Sequence, residues 1–299
     1  MKICIVGSAG YIGRRLHPHL IEQGHDVRGI DIGWFGSINN MSTFKEDYSK
    51  TAVSVLSDVD VVILLAGHSS VGMCEGKGRS AYQNNVSNFI QLMDIISKDQ
   101  ILIYASSSSV YDHLLNPVES NARYHPRNFY DLTKHTIDQY ALISNHPKWY
   151  GLRFGTVCGG SPNLRTDVMI NAMYHSAMTT GVITYTNPVV SRPLLGLPDL
   201  CRAMDMFIAG TPKPGIYNVA SGNFKTDLIA KKVAFDLSVP VVFDERYGTT
   251  YDFTVSVDKI LSTGFSFRDN IESIVADIKE HYPTAVKTTR REPKEYSCT

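Results

Sequence analysis

The sequence predicts an α/β protein, a doubly wound parallel sheet followed by a smaller C-terminal α+β lobe. Three observations carry this. Short apolar runs alternate with helical patterns through the first half of the chain. One of these runs, residues 59–66 (VDVVILLA), stays apolar with little alternation, as a strand buried on both faces of a parallel sheet requires. The first run ends in a glycine-rich turn that opens a helix.

The elements follow in order. Residues 3–6 form a buried strand. Residues 11–23 place Ile12, Leu16, Leu20 and Ile21 on one helical face, and Gly24 stops the helix. Residues 26–32 form the second strand and 59–66 the next. Residues 81–96 read as one helix, with Val86, Phe89, Leu92, Met93 and Ile96 at core spacing. A strand at 101–105, a helix at 130–143 and a strand at 149–154 complete the alternation. Past about residue 156 the rhythm loosens into short strands (182–185, 216–219, 239–243) and helices (200–208, 227–237, 271–280). The expected organisation is a sheet domain over 1–157 to which some later segments return, a lobe over 158–283, and a polar tail over 284–299 that is a surface strap or flexible.

Composition narrows the class of function. The chain has 299 residues, 43% hydrophobic and 19% charged, with 29 Lys+Arg against 29 Asp+Glu. A zero formal charge argues against nucleic-acid binding, which needs a basic footprint to displace counterions from phosphates. The cysteines are Cys4, Cys74, Cys158, Cys201 and Cys298. No two lie within four residues, so there is no CxxC pair, and an odd, scattered set reads as reduced thiols of a cytoplasmic protein. The apolar run at 3–6 is too short for a signal-peptide core, and nothing approaches the ~20 apolar residues of a membrane span. The glycosylation triplets at Asn40 and Asn85 carry no meaning without secretion. The ten histidines form no ligand pair with a third partner, so no metal is expected.

Four motifs carry chemistry. Gly7, Gly10 and Gly13 in GSAGYIG sit between the first strand and first helix. Glycines there permit a tight turn and close approach of the backbone to a pyrophosphate, which then faces the free N–H groups of the helix start. Asp31 ends the second strand, where a carboxylate accepts hydrogen bonds from ribose hydroxyls and repels a 2′-phosphate. No basic residue follows until Lys45, so the expected cofactor is NAD. Asp47 and Tyr48 are placed to flank the adenine. Tyr130 and Lys134 form a Y-x-x-x-K pair on one helix face, where a nearby ammonium favours the phenolate and makes the tyrosine a base near neutrality. Ser106 to Ser109 follow a strand at the carboxyl end of the sheet, where a hydroxyl can steady a reacting oxygen.

Together these motifs resemble the extended short-chain dehydrogenase/reductase superfamily, the NAD-dependent nucleotide-sugar epimerases and dehydratases, over most of the chain. Further matches are Asn85-Val86, the stretch from Leu152 through Arg153, Thr156 and Val157 to Gly159, the run Tyr217-Asn218-Val219, and Gly264-Phe265. The resemblance implies a Rossmann-like fold whose later lobe binds substrate, and a homodimer packed through the helices 81–96 and 130–143. It implies that Ser107, Tyr130 and Lys134 are catalytic. It assigns the cofactor to Gly7, Gly10, Tyr11, Ile12, Gly13, Asp31, Asp47, Tyr48, Leu65, Ala66, Gly67, Asn85, Tyr130, Lys134 and Phe154. It assigns a nucleotide-diphosphate sugar to Ser107, Ser108, Thr156, Asn171 and Arg192, the guanidinium suiting the diphosphate. The two positions after Ser107 are Asp and Glu in 4,6-dehydratases and are Ser108 and Ser109 here, so the acid and base that remove water are missing. Asp112 replaces a glycine after Val110-Tyr111, Gly196-Leu197 replaces His-Val, and His68 lies near the nicotinamide edge, departures that leave the redox residues intact. The expected activity is epimerisation, at C4, through a transient keto-sugar. The alternatives are a reductase of a 4-keto-6-deoxy sugar nucleotide and, in another class, a dinucleotide-binding regulator without catalysis.

Overall fold

A computed structural model describes residues 1–35, 42–51, 53–120, 124, 126–246 and 250–289. Asn40, Cys298 and residues 290–299 of the expected tail lie outside the described residues. The frame is laid down by β1 (Lys2–Val6), α1 (Tyr11–Glu22), β2 (Asp26–Asp31), β3 (Thr43–Lys45), α2 (Val53–Leu56) and β4 (Val61–Leu64). It continues through α3 (Val71–Cys74), α4 (Gly78–Tyr82), α5 (Asn88–Ile95), β5 (Ile101–Ser107), α6 (Phe129–Ile143) and β6 (Trp149–Phe154).

The remaining elements are β7 (Thr156–Cys158), β8 (Asn163–Arg165), α7 (Met169–Thr180), β9 (Ile183–Tyr185), β10 (Ser191–Gly196), α8 (Leu197–Ile208) and β11 (Gly215–Val219). After them come β12 (Gly222–Lys225), α9 (Thr226–Leu237), β13 (Val241–Phe243), α10 (Asp258–Leu261), α11 (Ile271–His281) and β14 (Val286–Thr288).

Seven strands form one parallel sheet in the order β11-β6-β5-β4-β1-β2-β3. The order reverses at β1, and the chain's glycine turn therefore opens at the crevice where such sheets bind ligands. Alternation along β1 builds two cores. Ile3 and Ile5 pack with Leu16 and Leu20 of α1 and with Leu200, Met204 and Phe207 of α8. Cys4 and Val6 point the other way, to Val86, Phe89 and Leu92 and to Ile137 and Ala141 of α6. Each fully buried Leu, Ile or Phe contributes about 1.5–3 kcal/mol, so this two-sided burial holds the strand ends rigid beneath the site. A third core joins α7, α9 and α11 in the lobe.

Four details differ from the sequence reading or sharpen it. The strand expected at 59–66 pairs only to Leu64, because the N–H groups of Leu65 and Ala66 both turn to the carbonyl of Val6. The helix expected at 81–96 is broken by a π-helical turn at Gln83–Ser87, which rotates Asn84 and Asn85 inward. The short strand β3 had no periodic signal, since its three residues are only half-buried or exposed. Residues 215–219 leave the later lobe and pair with β6. In the tail, β14 pairs with β8.

Candidate active site

The cleft lies at the carboxyl ends of β1, β2 and β4. It is lined by Gly7, Gly10, Tyr11, Ile12, Gly13, Asp31, Asp47, Tyr48, Leu65, Ala66 and Gly67, and by Trp34, Phe35, Glu46, Ser69, Asn84 and Arg165, which the sequence did not single out. Gly7 has φ +96°, and a Cβ there would lie 2.6 Å from the Ala66 nitrogen. A Cβ on Gly13 would lie 2.3 Å from the Gly7 carbonyl oxygen. Both positions admit only glycine because backbone passes over backbone. The α1 helix starts at Gly10 with no side-chain cap, leaving its first N–H groups facing the cleft.

Asp31 accepts hydrogen bonds from Ala9 N–H at 2.9 Å and from Gly33 N–H at 2.6 Å. It ties the glycine turn to the end of β2 and holds a carboxylate at the cleft wall. Lys45 pairs opposite Asp31 in the sheet but does not line the cleft. Tyr48 donates to the Asn84 carbonyl at 2.6 Å, and Asp47 caps the turn that follows it. This cradle fits a dinucleotide: glycine-only turns, an uncapped helix start for phosphates, and a carboxylate for a ribose.

Asn85, assigned to the cofactor by the resemblance, sits behind the cleft wall at Gly67. It lines no cleft. Its amide nitrogen donates to the His68 carbonyl at 3.1 Å and to Thr133 Oγ1 at 3.0 Å, and its Oδ1 accepts from His68 N–H at 2.7 Å. It clamps the turn at Gly67, which has φ +146°, to α6 one residue before Lys134. His68 is buried, takes a hydrogen bond between Asn84 Nδ2 and its Nδ1 at 3.0 Å, and meets Trp34 edge-on at 5.3 Å. Burial pushes its pKa down to about 4.

The second half of the site is the seam between α6 and the end of β5. The inward face of α6 is polar, with Asp131, Lys134 and Asp138 all buried. Each finds its partner on the serine strand end or beside it. Lys134 Nζ donates to the Ala105 carbonyl at 2.7 Å. Asp138 accepts from Ser106 Oγ at 3.0 Å, from Tyr104 OH at 3.1 Å and from Arg153 Nε at 2.7 Å. Asp131 accepts from Ser109 Oγ at 2.6 Å, from Asn128 Nδ2 at 2.7 Å and from Tyr251 OH at 2.9 Å. Ser107 Oγ lies 2.8 Å from Ser109 Oγ and hydrogen-bonds the Tyr130 side chain. Ser107, Tyr130 and Lys134 are thus brought together, as expected.

One expectation about them is corrected. Lys134 was expected to lower the Tyr130 pKa. Its ammonium sits 5.9 Å from the ring centroid and is committed to a carbonyl. Burial dominates both groups, pushing Tyr130 up to about 12 and Lys134 down to about 8. The Ser107 hydroxyl and, more weakly, Arg165 across the cleft pull the phenol the other way; the Arg165 guanidinium is itself paired to Asp167 at 3.0 Å.

Four further residues assigned to ligands spend their polar groups on the protein or lie outside the cleft. Ser108 Oγ donates to the Phe154 carbonyl at 2.8 Å. Phe154 itself is a buried core residue at the end of β6, outside the cleft lining. Asn171 is fully buried, accepting from Gly159 N–H and donating to Tyr11 OH and the Arg165 carbonyl. It holds Tyr11 in place from below and does not reach the cleft. Thr156 Oγ1 accepts from Arg192 at 3.3 Å. Arg192 also donates to Thr250 Oγ1 at 3.5 Å and lies 5.7 Å over the Tyr251 ring, while its buried Nε has no hydrogen-bond partner among the described residues. Among the described residues no group of three His, Cys, Asp or Glu is placed to hold a metal, and no helix is long and apolar enough to cross a membrane.

Comparison with known proteins adds independent findings. A family model described as the NAD dependent epimerase/dehydratase family matches residues 3–220. The chain is similar to a UDP-glucose 4-epimerase of Lactobacillus helveticus, 23% identical over an alignment of 335 positions that covers 99% of each chain. It is similar to Protein CapI of Staphylococcus aureus, 29% identical over 241 residues covering 72% of this chain and 71% of that one. Among solved structures it matches a UDP-N-acetylglucosamine 4-epimerase from Methanobrevibacter ruminantium M1, in complex with UDP-N-acetylmuramic acid. That match has TM-score 0.84 and 20% identity, and covers 95% and 98% of the two chains. At that identity the likeness is one of fold.

Proposed function

The chain belongs to the NAD-dependent epimerase/dehydratase family, and from that premise we propose that it epimerises a nucleotide-diphosphate sugar at C4. The observation that carries this reading is the grouping of Ser107, Tyr130 and Lys134 at one strand end, beside a cradle shaped for a dinucleotide. A second observation favours epimerisation over loss of water. The two hydroxyls after Ser107 are bound to the Phe154 carbonyl and to Asp131, and neither position offers an acid or base to a leaving hydroxyl. The full-length relative from Lactobacillus helveticus, itself named a UDP-glucose 4-epimerase, points the same way.

In this reading Gly7, Gly10, Gly13 and the α1 start hold the NAD pyrophosphate, and Asp31 holds the adenosine ribose. Bound NAD supplies a hydride acceptor that becomes the donor for the return step. Tyr130 takes the proton of the sugar hydroxyl and later returns it, and Ser107 orients that oxygen. Lys134, anchored on Ala105, holds the nicotinamide ribose. Arg192, with its unpartnered Nε, meets the diphosphate, so that binding energy comes from the part of the ligand that does not react. The same reading places the protein in the cytoplasm, supported by the buried free thiols of Cys4, Cys74, Cys158 and Cys201. It makes a homodimer through the helical segments 81–96 and 130–143, the second of which lies in α6, where Phe129, Leu132, Leu142 and Ile143 are exposed; light scattering that gives a monomer removes that part.

The test begins with purified, denatured protein, whose released nucleotide should be NAD. UDP-, dTDP-, GDP- and CDP-sugars are then offered without added cofactor. Turnover of one of them into its C4 epimer, abolished in Tyr130→Phe with NAD still bound, is the expected result. A requirement for added NAD(P)H would instead indicate a reductase. Unchanged turnover in Tyr130→Phe would remove that residue from the mechanism.

A further inference from the structure

The mechanism above gives no part to Asp131, a carboxylate only 1% exposed, or to Tyr251, which reaches it from the lobe. With Asn128 these two close a ring of hydrogen bonds in which every side-chain hydrogen is used. Asn128 Nδ2 has two hydrogens. One goes to Asp131 Oδ2 at 2.7 Å and the other to the Tyr251 hydroxyl oxygen at 2.7 Å. Tyr251 has one and gives it to the Asp131 carboxylate, 2.9 Å from Oδ2 and 3.1 Å from Oδ1. Two further bonds brace the ring: Asn128 Oδ1 accepts the Asp131 backbone N–H at 3.0 Å, and Ser109 donates to Asp131 Oδ1 at 2.6 Å.

The ring encloses the first turn of α6. Asn128 is its N-cap, Asp131 its third residue, and Tyr130 stands between them. The N–H groups of a first turn have no partner within the helix, so such turns fray unless something outside holds them. Here the holder is a hydroxyl from 120 residues away. Tyr251 is fixed at its other end as well. Asp252 Oδ1 accepts from the Ser191 N–H at 2.8 Å, and the Phe253 N–H donates to the Ser191 carbonyl at 3.1 Å, which seats the segment on β10 beside Arg192. Its other edge meets the loop after the serine turn, where the His113 N–H donates to the Asp252 carbonyl and the Asp252 N–H to Asp112 Oδ1, both at 3.1 Å. The Arg192 guanidinium lies 5.7 Å over the Tyr251 ring.

We propose that Tyr251 is a positioning residue that fixes the span between Arg192 and Tyr130. Its ring carries the guanidinium, and its hydroxyl clasps the turn on which the phenol rides. One stiff side chain thus joins the two places that one ligand must reach. The catalytic half of this inference rests on the epimerase reading; the clasp on α6 does not. A sugar anchored through its diphosphate at Arg192 reacts only if its hydroxyl falls at Tyr130, and a misplacement of about 1 Å can cost about a hundredfold in rate. Tyr251 acts on the reaction through Arg192 and α6.

Two measurements on Tyr251→Phe test this, a variant that keeps the ring beneath Arg192 and removes only the hydroxyl. The first needs no substrate. Hydrogen exchange is followed by mass spectrometry in the peptide spanning residues 128–134, where the Asp131 and Leu132 N–H groups are bonded to Asn128. Exchange there should quicken about tenfold, the worth of one hydrogen bond, while peptides of α8, on the opposite face of the sheet, stay unchanged. Unchanged exchange in 128–134 overturns the clasp, and so does a rise shared equally by α8, which is general loosening. The second uses whichever nucleotide-sugar the wild type turns over. Tyr251→Phe should lose at least about tenfold in kcat with KM unchanged. Asp131→Asn should lose as much, and the double variant no more than either alone, as members of one unit do. An unchanged kcat, a change in KM alone, or losses that multiply overturn the positioning role. Absence of turnover in the wild type, by contrast, counts against the epimerase reading and leaves hydrogen exchange to decide the clasp.

Discussion

The buried imidazole of His68 makes the stability of the fold depend on pH in a calculable way. Its pKa is 6.5 when free and is pushed down to about 4 by burial between Trp34 and the Asn84–Asn85 turn. The unfolded chain therefore takes up a proton near 6.5, and the folded chain does not until about 4. The stability held by the neutral ring is full above 6.5 and is lost as the pH falls toward 4. Linkage between those two values gives a loss of about 2 kcal/mol on going from about pH 7 to about pH 5. That is a large share of a typical 5–15 kcal/mol fold. His17, His135 and His146 are pushed the same way by burial, so the wild-type slope is a sum. The variant His68→Gln isolates one part of it. Urea denaturation at the two pH values should show a wild-type loss that exceeds the loss in His68→Gln by about 2 kcal/mol, whatever the packing cost common to both pH values. Equal losses in the two proteins would refute the argument.

Three other outcomes follow from the site. Asp31→Ala removes the acceptor for Ala9 and Gly33 N–H as well as the ribose partner, and should weaken NAD by about tenfold to a hundredfold, as measured by calorimetry, while relaxing its preference over NADP. Gly13→Ala drives a methyl group to 2.3 Å from the Gly7 carbonyl oxygen; the glycine turn must shift, and NAD affinity should fall at least about tenfold with the fold retained by circular dichroism. Arg153→Met leaves Asp138 as a buried anion without its ion-pair partner, both side chains being 0% exposed, and should cost about 3–5 kcal/mol in a urea melt.

What the sequence revealed is what depends on local spacing. The glycine turn, Asp31 and the Y-x-x-x-K pair each lie within one element or one turn, and the structure puts them where that spacing says. The inward Asn84 and Asn85 were hidden because a π-helical turn keeps an apolar stripe that still counts as 3.6-periodic. The resemblance assigns Asn85 to the cofactor; its three hydrogen bonds, which join segments 17 and 48 residues away, carry no local signal. Asp131 lies inside the tyrosine–lysine motif but carries no local signal of its own, since its partner Ser109 lies 22 residues upstream and Tyr251 lies 120 downstream. Arg165 gave no local signal at all. It reaches the cleft only because β8 is carried back over the α1 start.

The return of β11 to the main sheet changes how the chain can be divided. After β6 the polypeptide leaves the frame, builds β8, α7 and β10, and comes back to lie along Tyr150–Phe154. What lies between is a cassette stitched to one sheet at both ends. Its length and surface can be rewritten while the two stitches stay fixed, but it cannot be snipped off at one of them. The returning strand also brings Asn218, whose amide oxygen receives the Tyr111 hydroxyl next to the serines. A protein shortened after residue 157 would thus bare the outer edge of β6 and unseat a tyrosine two positions from Ser109, so frame and cassette stand or fall as one piece.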